Sequence, residues 1–371
     1  MSHILFISHA RGLHGAEAVM VQAAKACSAR GARVTVVVPS IVPDEGLEKA
    51  LQGIRNLQIL PLPYRAAGGD MLRTHLVRLY NLRALCTLAR FAQREQVTTI
   101  YSNTSITILG AELAMRLHLK HVWHWHEPVD ERFGWHFTMT EYYQRLAQAA
   151  NTIVCISQQQ KQQWSEELDL PLTNAQIIYN PIKPIAFTPE AHYAFHRGAR
   201  IGFIGRFEQR KNLPLLLQAF TSIHDQVHET SLSLCGAVDE HDRLFVEQMT
   251  DLREPVLTIM QQTTDVSKFY NNIDILVLPS WSETMPLVVL EAMQAGVCVL
   301  QTNRSGMREL LEAGTETLFF SPDKPEELEN ELLACLDEDY RQPIAQAGQK
   351  KALQLVQNQS FDNQITRLLC E

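Results

Sequence analysis

Residues 273–301 constrain the fold of this chain more than any other stretch. An apolar run of strand length, Ile275–Leu278, is followed by a polar turn that carries Glu283. Helical spacing of apolar residues then covers 286–295, and 297–300 is again an apolar run of strand length. A strand, a loop, a helix and a second strand in this order predict one unit of a parallel sheet, because parallel strands need a crossover connection.

The turn after the first of these strands is a candidate ligand site. Ligands of open parallel sheets bind at the carboxyl ends of the strands, and Glu283 lies there. Glu291 falls on the second turn of the following helix, so both carboxylates can face one crevice. Such a pair has little weight alone, since any long helix can supply it, and its significance comes from the surrounding pattern.

Two other loops have the composition of anion sites. A strand over His3–Ser8 leads into a loop that contains Gly15 and then into a helix. A strand over 200–205 leads into a loop with Arg206 and Lys211, and a helix follows there too. Free backbone N–H groups and the helix dipole favour an anion at both helix starts, and two cations strengthen the second site.

The order of strands and helices predicts the fold class. Strands and helices alternate along the chain, and the alternation starts afresh at residue 200. We therefore predict an α/β protein of two Rossmann-like domains with a cleft between them. The first domain is predicted over 1–182, a proline-containing linker over 183–198 and the second domain over 199–345.

The charge distribution narrows the choice of partners. The net charge is −8, but residues 1–183 hold 18 basic against 14 acidic side chains, a balance of +4, which leaves −12 for residues 184–371. Six arginines and one acidic residue, Asp70, lie within 65–94, where a long amphipathic helix is predicted from Met71 to about Gln96. These arginines either form a solvated helix face or dock on an anionic membrane surface or a diphosphate-linked lipid. No basic run or recognition module indicates nucleic acid.

The apolar segments and the cysteines predict the compartment. No apolar segment approaches the roughly 20 residues that cross a bilayer, and the N-terminus lacks the basic region of a signal peptide. The seven cysteines form no Cys-x-x-Cys pair. We therefore predict a cytoplasmic protein with reduced cysteines, at most peripheral on the cytoplasmic face of the inner membrane.

Histidines at positions 121, 124, 126 and 136 suggest a metal site at first sight. No carboxylate or cysteine has a recognised ligand spacing with them, so no metal is predicted.

The stretch 273–301 resembles the signature of glycosyltransferase family 4, in which two glutamates separated by seven residues follow a strand that ends in Pro-Ser. The matching residues are Pro279-Ser280, Glu283, Pro286, Glu291-Ala292-Met293 and Gly296. Two loops are also similar to those of the family, namely His14-Gly15-Ala16-Glu17, in which His14 replaces a glycine, and Gly205-Arg206 with Lys211-Asn212. The resemblance covers nearly the whole chain and is strongest over 200–309.

The resemblance implies the GT-B architecture, with a final helix over 342–370 whose end, 346–371, crosses back to the first domain. It implies retaining transfer of a sugar from a nucleoside-diphosphate donor to a hydroxyl of a glycan or lipid-linked acceptor, in bacterial cell-surface polysaccharide or lipopolysaccharide biosynthesis. No metal or other cofactor is implied, because cations, backbone N–H groups and a helix dipole can neutralise the leaving diphosphate.

The resemblance also implies roles for individual residues. The implied donor-binding residues are Gly15, Arg206, Lys211, Glu283, Met285, Pro286, Leu287 and Glu291. The implied catalytic residues are Glu283, His126, Arg206 and Lys211, and the acceptor-side residues are Asn103, His126 and Glu127. We expect His126 to act near neutral pH, where a histidine can donate to a sugar hydroxyl or act on the acceptor.

Two other functions share these features. A nucleotide-sugar epimerase has the same architecture and donor but no sugar acceptor. A non-catalytic subunit that binds a nucleotide sugar or a glycan is disfavoured, because Glu283, Glu291, Arg206 and Lys211 are present together.

Overall fold

The computed structural model describes residues 2–41, 44–67, 71–129, 139–185, 199–237, 240–261, 263 and 265–371. The chain forms two compact units. The first comprises Met1–Pro181 with Ser360–Glu371, and the second comprises Ile182–Gln359.

The first unit is built on a seven-stranded parallel sheet. Its strands are β1 (His3–Ile7), β2 (Arg33–Pro39), β3 (Leu57–Leu62), β4 (Thr99–Asn103), β5 (Lys120–Trp125), β6 (Thr152–Cys155) and β7 (Ala175–Ile177). Its helices are α1 (Gly15–Ala29), α2 (Gly46–Leu51), α3 (Met71–Arg94), α4 (Ile108–Leu117), α5 (Thr140–Ala149), α6 (Gln158–Glu167) and, from the end of the chain, α13 (Phe361–Cys370). The strand order is β3-β2-β1-β4-β5-β6-β7.

The alternation of side chains along β1 shows why its sequence is apolar throughout. Ile4 and Phe6 pack in one buried cluster with residues of α1 and α13, whereas Leu5 and Ile7 pack in a second cluster with residues of α3 and α4. Successive residues of a strand point to opposite faces, so a strand covered by helices on both sides must be apolar at every position.

The second unit is built on a six-stranded parallel sheet. Its strands are β8 (Arg200–Ile204), β9 (Ser231–Ala237), β10 (Leu257–Gln261), β11 (Ile275–Leu278), β12 (Cys298–Thr302) and β13 (Leu318–Phe320). Its helices are α7 (Leu213–Gln226), α8 (Glu240–Glu247), α9 (Ser267–Tyr270), α10 (Leu287–Gln294), α11 (Pro325–Cys335) and α12 (Glu338–Gln357), with 3₁₀ turns at Gln209–Lys211 and Gly306–Glu309. The strand order is β10-β9-β8-β11-β12-β13.

Both sheets have the doubly wound topology that the sequence predicted. In each sheet the strand order reverses once, between β1 and β4 in the first unit and between β8 and β11 in the second. The loops that leave the carboxyl ends of strands at such a reversal form the ligand crevice of open α/β sheets. The loops after β8 and β11 carry Arg206, Lys211 and Glu283, and the loop after β1 leads to Gly15.

The prediction of one final helix over 342–370 is wrong. The structure has two helices, and the break between them lies in the exposed polar residues 358–360. The earlier helix, α12, belongs to the second unit, so the crossing to the first unit begins at Ser360 and not at residue 346. Gly348 explains the placement of α12, because a Cβ at this position would lie 2.6 Å from the carbonyl oxygen of Glu316 in the same unit.

The long amphipathic helix predicted from Met71 is confirmed as α3. Most of the predicted linker, 186–198, lies outside the described residues. In the described part of the chain, no helix combines the length and the apolar character that a membrane span requires.

Candidate functional site

The loop after β8 is held in a fixed path by close backbone packing. Gly205 and Gly236 have φ angles of +150° and +148°, in a region that side chains strongly disfavour. A Cβ at Gly236 would lie 1.9 Å from the carbonyl oxygen of Gly205. The loop ends in the turn Gln209–Lys211, after which Asn212 adopts a left-handed conformation and α7 begins.

Glu283 is the centre of a buried ionic cluster in the second unit. Lys211 Nζ donates to Glu283 Oε1 at 2.6 Å, and Arg210 Nη1 lies 3.3 Å from Oε2. The Ser280 hydroxyl donates to Oε1 at 2.6 Å. Two loops that leave neighbouring strands, β8 and β11, therefore meet through a single carboxylate.

The main chain of Glu283 is fixed as well. Its N–H donates to the carbonyl of Arg304, and its carbonyl accepts from the N–H of Gly306. Burial acts to raise the pKa of Glu283, but the charges of Lys211 and Arg210, with the hydrogen bonds from Lys211 and Ser280, outweigh it and lower the pKa to about 2. Glu283 is therefore an anion throughout the physiological range.

Glu291 has a different environment from Glu283. The hydroxyl of Tyr270, on α9, donates to Glu291 Oε2 at 2.9 Å. Burial raises the pKa of Glu291, and Tyr270 and Lys183 oppose this only in part. The two glutamates of the signature thus differ. At Glu283 the contacting cations outweigh burial, whereas at Glu291 burial outweighs the groups that favour the anion.

The other predicted donor-binding residues lie on the same loops. Met285 is buried, and Pro286 is the N-cap of α10, which begins at Leu287, so this backbone lies at a helix N-terminus. Arg206 follows Gly205 and is exposed. Arg210, which no sequence pattern predicted as a site residue, also contacts Glu283 in the cluster.

In the first unit, a chain of polar contacts joins the ends of three strands. Asn103, the last residue of β4, is fully buried. Its Nδ2 donates to Oε1 of Glu17 at 3.3 Å, and its Oδ1 accepts from Nε2 of His126 at 3.1 Å. Nδ1 of His9, in the loop after β1, lies 3.0 Å from the same Glu17 oxygen. Glu17 is in the first turn of α1 and has no solvent exposure.

His126 does not have the near-neutral pKa that we expected. Burial, together with the neighbouring His124 and His9, holds the pKa of His126 well below its ordinary value. The rings of His124 and His126 lie 4.1 Å apart, and burial lowers the pKa of His124 to about 3. His126 is therefore a neutral imidazole at pH 7, because protonation would place a charge beside another buried ring.

Glu127 orders the neighbouring loop. Its Oε2 accepts from the N–H and the hydroxyl of Ser105 at 3.0 and 2.9 Å, and from the N–H of His126 at 3.2 Å. Its carbonyl accepts from Gln160 Nε2 and Trp164 Nε1. These contacts fix the segment that presents His126.

Gly15 is the first residue of α1, and nothing in the described structure lies within 4 Å of a Cβ built on it. Packing therefore does not demand a glycine at this position, unlike at Gly236.

Several residues that contact the predicted ones were not predicted from the sequence. Arg210 in the Glu283 cluster, His9 in the first unit and Tyr270 beside Glu291 belong to no recognised spacing, and Glu17 was noted only as part of the loop pattern. The sequence could have indicated Arg210 only through its position next to Lys211.

Among the described residues, no group of three or more His, Cys, Asp or Glu side chains has an arrangement that could hold a metal ion.

Two protein-family models match the chain and divide it near the boundary of the two units. The model described as Glycosyltransferase Family 4 matches residues 13–184, and the model described as Glycosyl transferases group 1 matches residues 198–338. The first match contains Gly15, Asn103 and His126, and the second contains the whole Glu283 cluster.

Curated proteins and solved structures agree with these models. An uncharacterized glycosyltransferase of Haemophilus influenzae is 25% identical over 222 residues, which are 58% of this chain and 60% of that protein. The capsular polysaccharide biosynthesis glycosyltransferase CapM of Staphylococcus aureus is 30% identical over 165 residues, which are 41% of this chain and 40% of CapM. These alignments span only about half the length of the relatives.

A crystal structure of HepE from Anabaena, in complex with UDP and glucose, superposes with a TM-score of 0.76 at 18% identity and covers 100% of this chain and 98% of HepE. This likeness concerns the fold. The two models together span most of the chain and enclose both polar clusters, and the chain belongs to glycosyltransferase family 4.

Proposed function

We propose that this protein transfers a sugar, with retention of anomeric configuration, from a nucleoside-diphosphate donor to a hydroxyl group of a glycan or a lipid-linked acceptor. The observation that carries the proposal is the Glu283 cluster. A buried carboxylate that two cations keep ionised, at the carboxyl ends of β8 and β11, provides a fixed hydrogen-bond acceptor for a sugar hydroxyl.

The donor is proposed to be a UDP-sugar that binds at the loops after β8 and β11. Arg206 and Lys211 would neutralise the diphosphate, and the backbone of Met285–Leu287, with N–H donors at Met285 and Leu287, would face the sugar. The contact with Glu283 uses one of the three N–H donors of Lys211, so the same ammonium can also reach a phosphate. The complex of HepE with UDP-glucose supports this choice of nucleotide.

No metal is required in this proposal, because the two cations and the helix N-terminus can take over the neutralisation of the leaving diphosphate. Glu283 is poorly suited as a covalent nucleophile, since three side chains bind its oxygens and its pKa is about 2. We therefore propose attack of the acceptor on the face that the diphosphate leaves. The anomeric C–O bond to phosphate breaks, the bond to the acceptor oxygen forms on the same face, and the departing phosphate oxygen takes the acceptor proton.

The acceptor is proposed to belong to cell-surface polysaccharide or lipopolysaccharide assembly. CapM, a capsular polysaccharide biosynthesis glycosyltransferase, supports this class. The α3 helix supports a contact with an anionic membrane surface. It contains no acidic residue, and it exposes large apolar side chains as well as arginines, among them Leu76, Leu79, Leu82 and Arg83.

The donor assignment is tested by a thermal-shift panel of UDP-, GDP-, dTDP- and ADP-sugars with and without magnesium. A ligand at about 100 times its Kd stabilises the native state by roughly 2.7 kcal/mol, so one responder should stand out. We expect a UDP-sugar to raise the melting temperature equally with and without magnesium, and Lys211→Ala to reduce the shift. A response to none of the sugars would contradict the proposal.

Product analysis separates transfer from the related chemistries. Incubation with the donor alone should leave the sugar unepimerised, whereas an epimerised product would favour the epimerase. Mass spectrometry that detected a covalent glycosyl–enzyme would overturn the same-face mechanism.

The membrane contact is tested by flotation with vesicles that contain phosphatidylglycerol. We expect binding at low salt that falls as the salt concentration rises and that Leu79→Asp weakens. Absence of binding to these vesicles at low salt would exclude the membrane surface as a partner of α3.

A further inference from the structure

The contacts of Asn103 determine how its side-chain amide must point. Glu17 is an anion, because His9 and the N–H of Glu17 outweigh the effect of burial and leave the pKa of Glu17 below its ordinary value. A carboxylate can only accept hydrogen bonds, so the amide group that faces it must be the NH₂ of Asn103. The carbonyl oxygen of Asn103 is thereby turned towards His126.

The orientation of this amide determines where the proton of His126 lies. A neutral imidazole carries one N–H, and the nitrogen that faces a carbonyl oxygen must be the protonated one. Nε2 of His126 is 3.1 Å from Asn103 Oδ1, so Nε2 carries the proton. Nδ1 then holds a lone pair and can only accept a hydrogen bond.

We propose that Glu17, acting through Asn103, is a positioning residue that sets the tautomer of His126 so that any ligand hydroxyl in contact with this ring must donate to Nδ1. This reverses the expectation that His126 donates to a sugar hydroxyl. The catalytic consequence rests on the proposed function, whereas the tautomer itself does not.

The charge of Glu17 supports a role beyond packing. Glu17 is fully buried, and its Oε2 has no hydrogen-bond partner among the described residues. Removing a carboxylate from water is expensive unless its oxygens are satisfied, and a neutral glutamine could accept from Asn103 equally well. A carboxylate, unlike a glutamine amide, can only accept hydrogen bonds. The anion therefore allows only one of the two orientations of the Asn103 amide.

The neighbouring His124 ring has a hydrogen-bond partner of its own, because its Nδ1 lies 2.6 Å from the hydroxyl of Tyr101. Glu127, which is also close to His126, accepts a hydrogen bond from the main-chain N–H of His126.

The tautomer can be read directly by two-bond ¹H–¹⁵N correlation spectra of the whole protein labelled with ¹⁵N-histidine at pH 8. His126→Gln identifies the signals of this ring. We expect the wild-type ring to show the proton on Nε2. Glu17→Gln keeps the size of the side chain but can both donate and accept, so it should give a mixture of the two tautomers.

A compensating variant separates this role from a structural one. In Glu17→Gln combined with Asn103→Asp, position 103 again offers only acceptors to His126, so the ring should return to the Nε2–H form. The matched control is Glu112→Gln, which removes a carboxylate of the same unit whose partners are Arg78 and the hydroxyl of Tyr142. The control should leave the His126 signals unchanged.

Three outcomes would overturn the proposal. They are a wild-type ring with the proton on Nδ1, an Nε2–H ring that persists in Glu17→Gln, and a double variant that does not recover this form. If Glu17→Gln does not fold, Asn103→Ala serves instead, since it removes the acceptor and should also mix the tautomers.

Kinetics provides the second readout. With an active donor and acceptor, Glu17→Gln should lower kcat about two- to tenfold, in proportion to the lost fraction of the competent tautomer, and should leave the donor KM within about twofold. Lack of transfer by the wild-type protein would contradict the proposed function, and the spectra would still decide the tautomer.

Discussion

At the scale of single residues, the two glutamates of the family signature have opposite electrostatic environments. Lys211 and Arg210 hold Glu283 as an anion, whereas burial disfavours the charged form of Glu291. Titratable groups whose environments push their pKa values apart commonly have different roles. Glu283 is suited to a permanent hydrogen-bond acceptor, and Glu291 is the first of the two to lose its charge on acidification.

The charge of Glu283 should matter for both stability and activity. Glu283→Gln leaves two partly buried cations without their shared anion, and we expect it to lower the free energy of unfolding by about 2 kcal/mol. Transfer should fall by roughly 100-fold or more. Urea unfolding and kcat/KM are the measurements.

Glu208→Gln is the stability control, because Glu208 pairs with the same Arg210 but is 41% exposed. Its effect on the free energy of unfolding should stay below about 0.5 kcal/mol. If the two variants lost equal amounts of unfolding free energy, the buried Glu283 contact would stabilise the protein no more than the exposed Glu208 contact.

The pH dependence of donor binding should report Glu291. The carboxylate form of Glu291, a proposed donor-binding residue, is lost as the pH falls through its pKa, which is raised above the ordinary value of 4.5. The Tyr270 hydrogen bond favours the charged form, so Tyr270→Phe should raise this pKa further and move the loss of affinity to higher pH.

This shift can be followed by measuring the Kd for UDP against pH by calorimetry, with Tyr340→Phe as the exposed control. A Tyr270→Phe profile that superposes on the wild-type profile would argue against Glu291 as the titrating group.

At the scale of elements, Gly236 and Gly15 differ in whether packing requires a glycine. Gly236 is required by the approach of the Gly205 carbonyl, whereas a Cβ at Gly15 meets open space. A glycine that packing does not require, at the N-terminus of α1, leaves room for a ligand to approach the backbone.

Gly15→Ala should therefore separate folding from function. Alanine is the better helix former, so the free energy of unfolding should stay equal or rise by up to about 1 kcal/mol. Transfer should fall at least about tenfold, because the methyl group would occupy the space of the ligand. Thermal unfolding and steady-state kinetics of Gly15→Ala test both expectations, and full activity would remove Gly15 from the site.

At the scale of the whole molecule, the end of the chain completes the core of the first unit. Phe361, Ile365 and Leu369 of α13 are buried in the cluster that contains α1 and β2. The compact unit is therefore assembled from the two ends of the sequence, and its stability depends on residues that follow the complete second unit.

Phe361→Ala should lower the free energy of unfolding of the first unit by about 3 kcal/mol, since it leaves a cavity among buried residues. Hydrogen exchange of peptides from α1 and β2 should become correspondingly faster. Leu353→Ala, at a position of α12 that is 45% exposed, is the control and should change little. Equal protection of α1 in both variants would contradict this role of α13.

The sequence alone determined the fold class and the family. Buried strands of a doubly wound sheet are uniformly apolar, and the helices between them have a clear period, so local patterns were enough to predict both units. The loops with Gly15, Arg206, Lys211 and Glu283 were found because each follows such a strand.

Only the tertiary structure decided which side chains meet. Arg210 contacts Glu283 across 73 positions of the sequence, because β8 and β11 are neighbours in the sheet. Asn103 contacts Glu17 across 86 positions, because β4 is a neighbour of β1, and α1, which carries Glu17, follows β1. The pKa values of His126 and Glu291 depend on burial and on His124 or Tyr270, which no local pattern reveals. The sequence also did not predict the end of α12: α12 ends at Gln357, and a separate helix, α13, begins at Phe361 in the other compact unit. Contacts between strand ends form only in the assembled sheet. They decide which charged side chains surround the glutamates of the family signature.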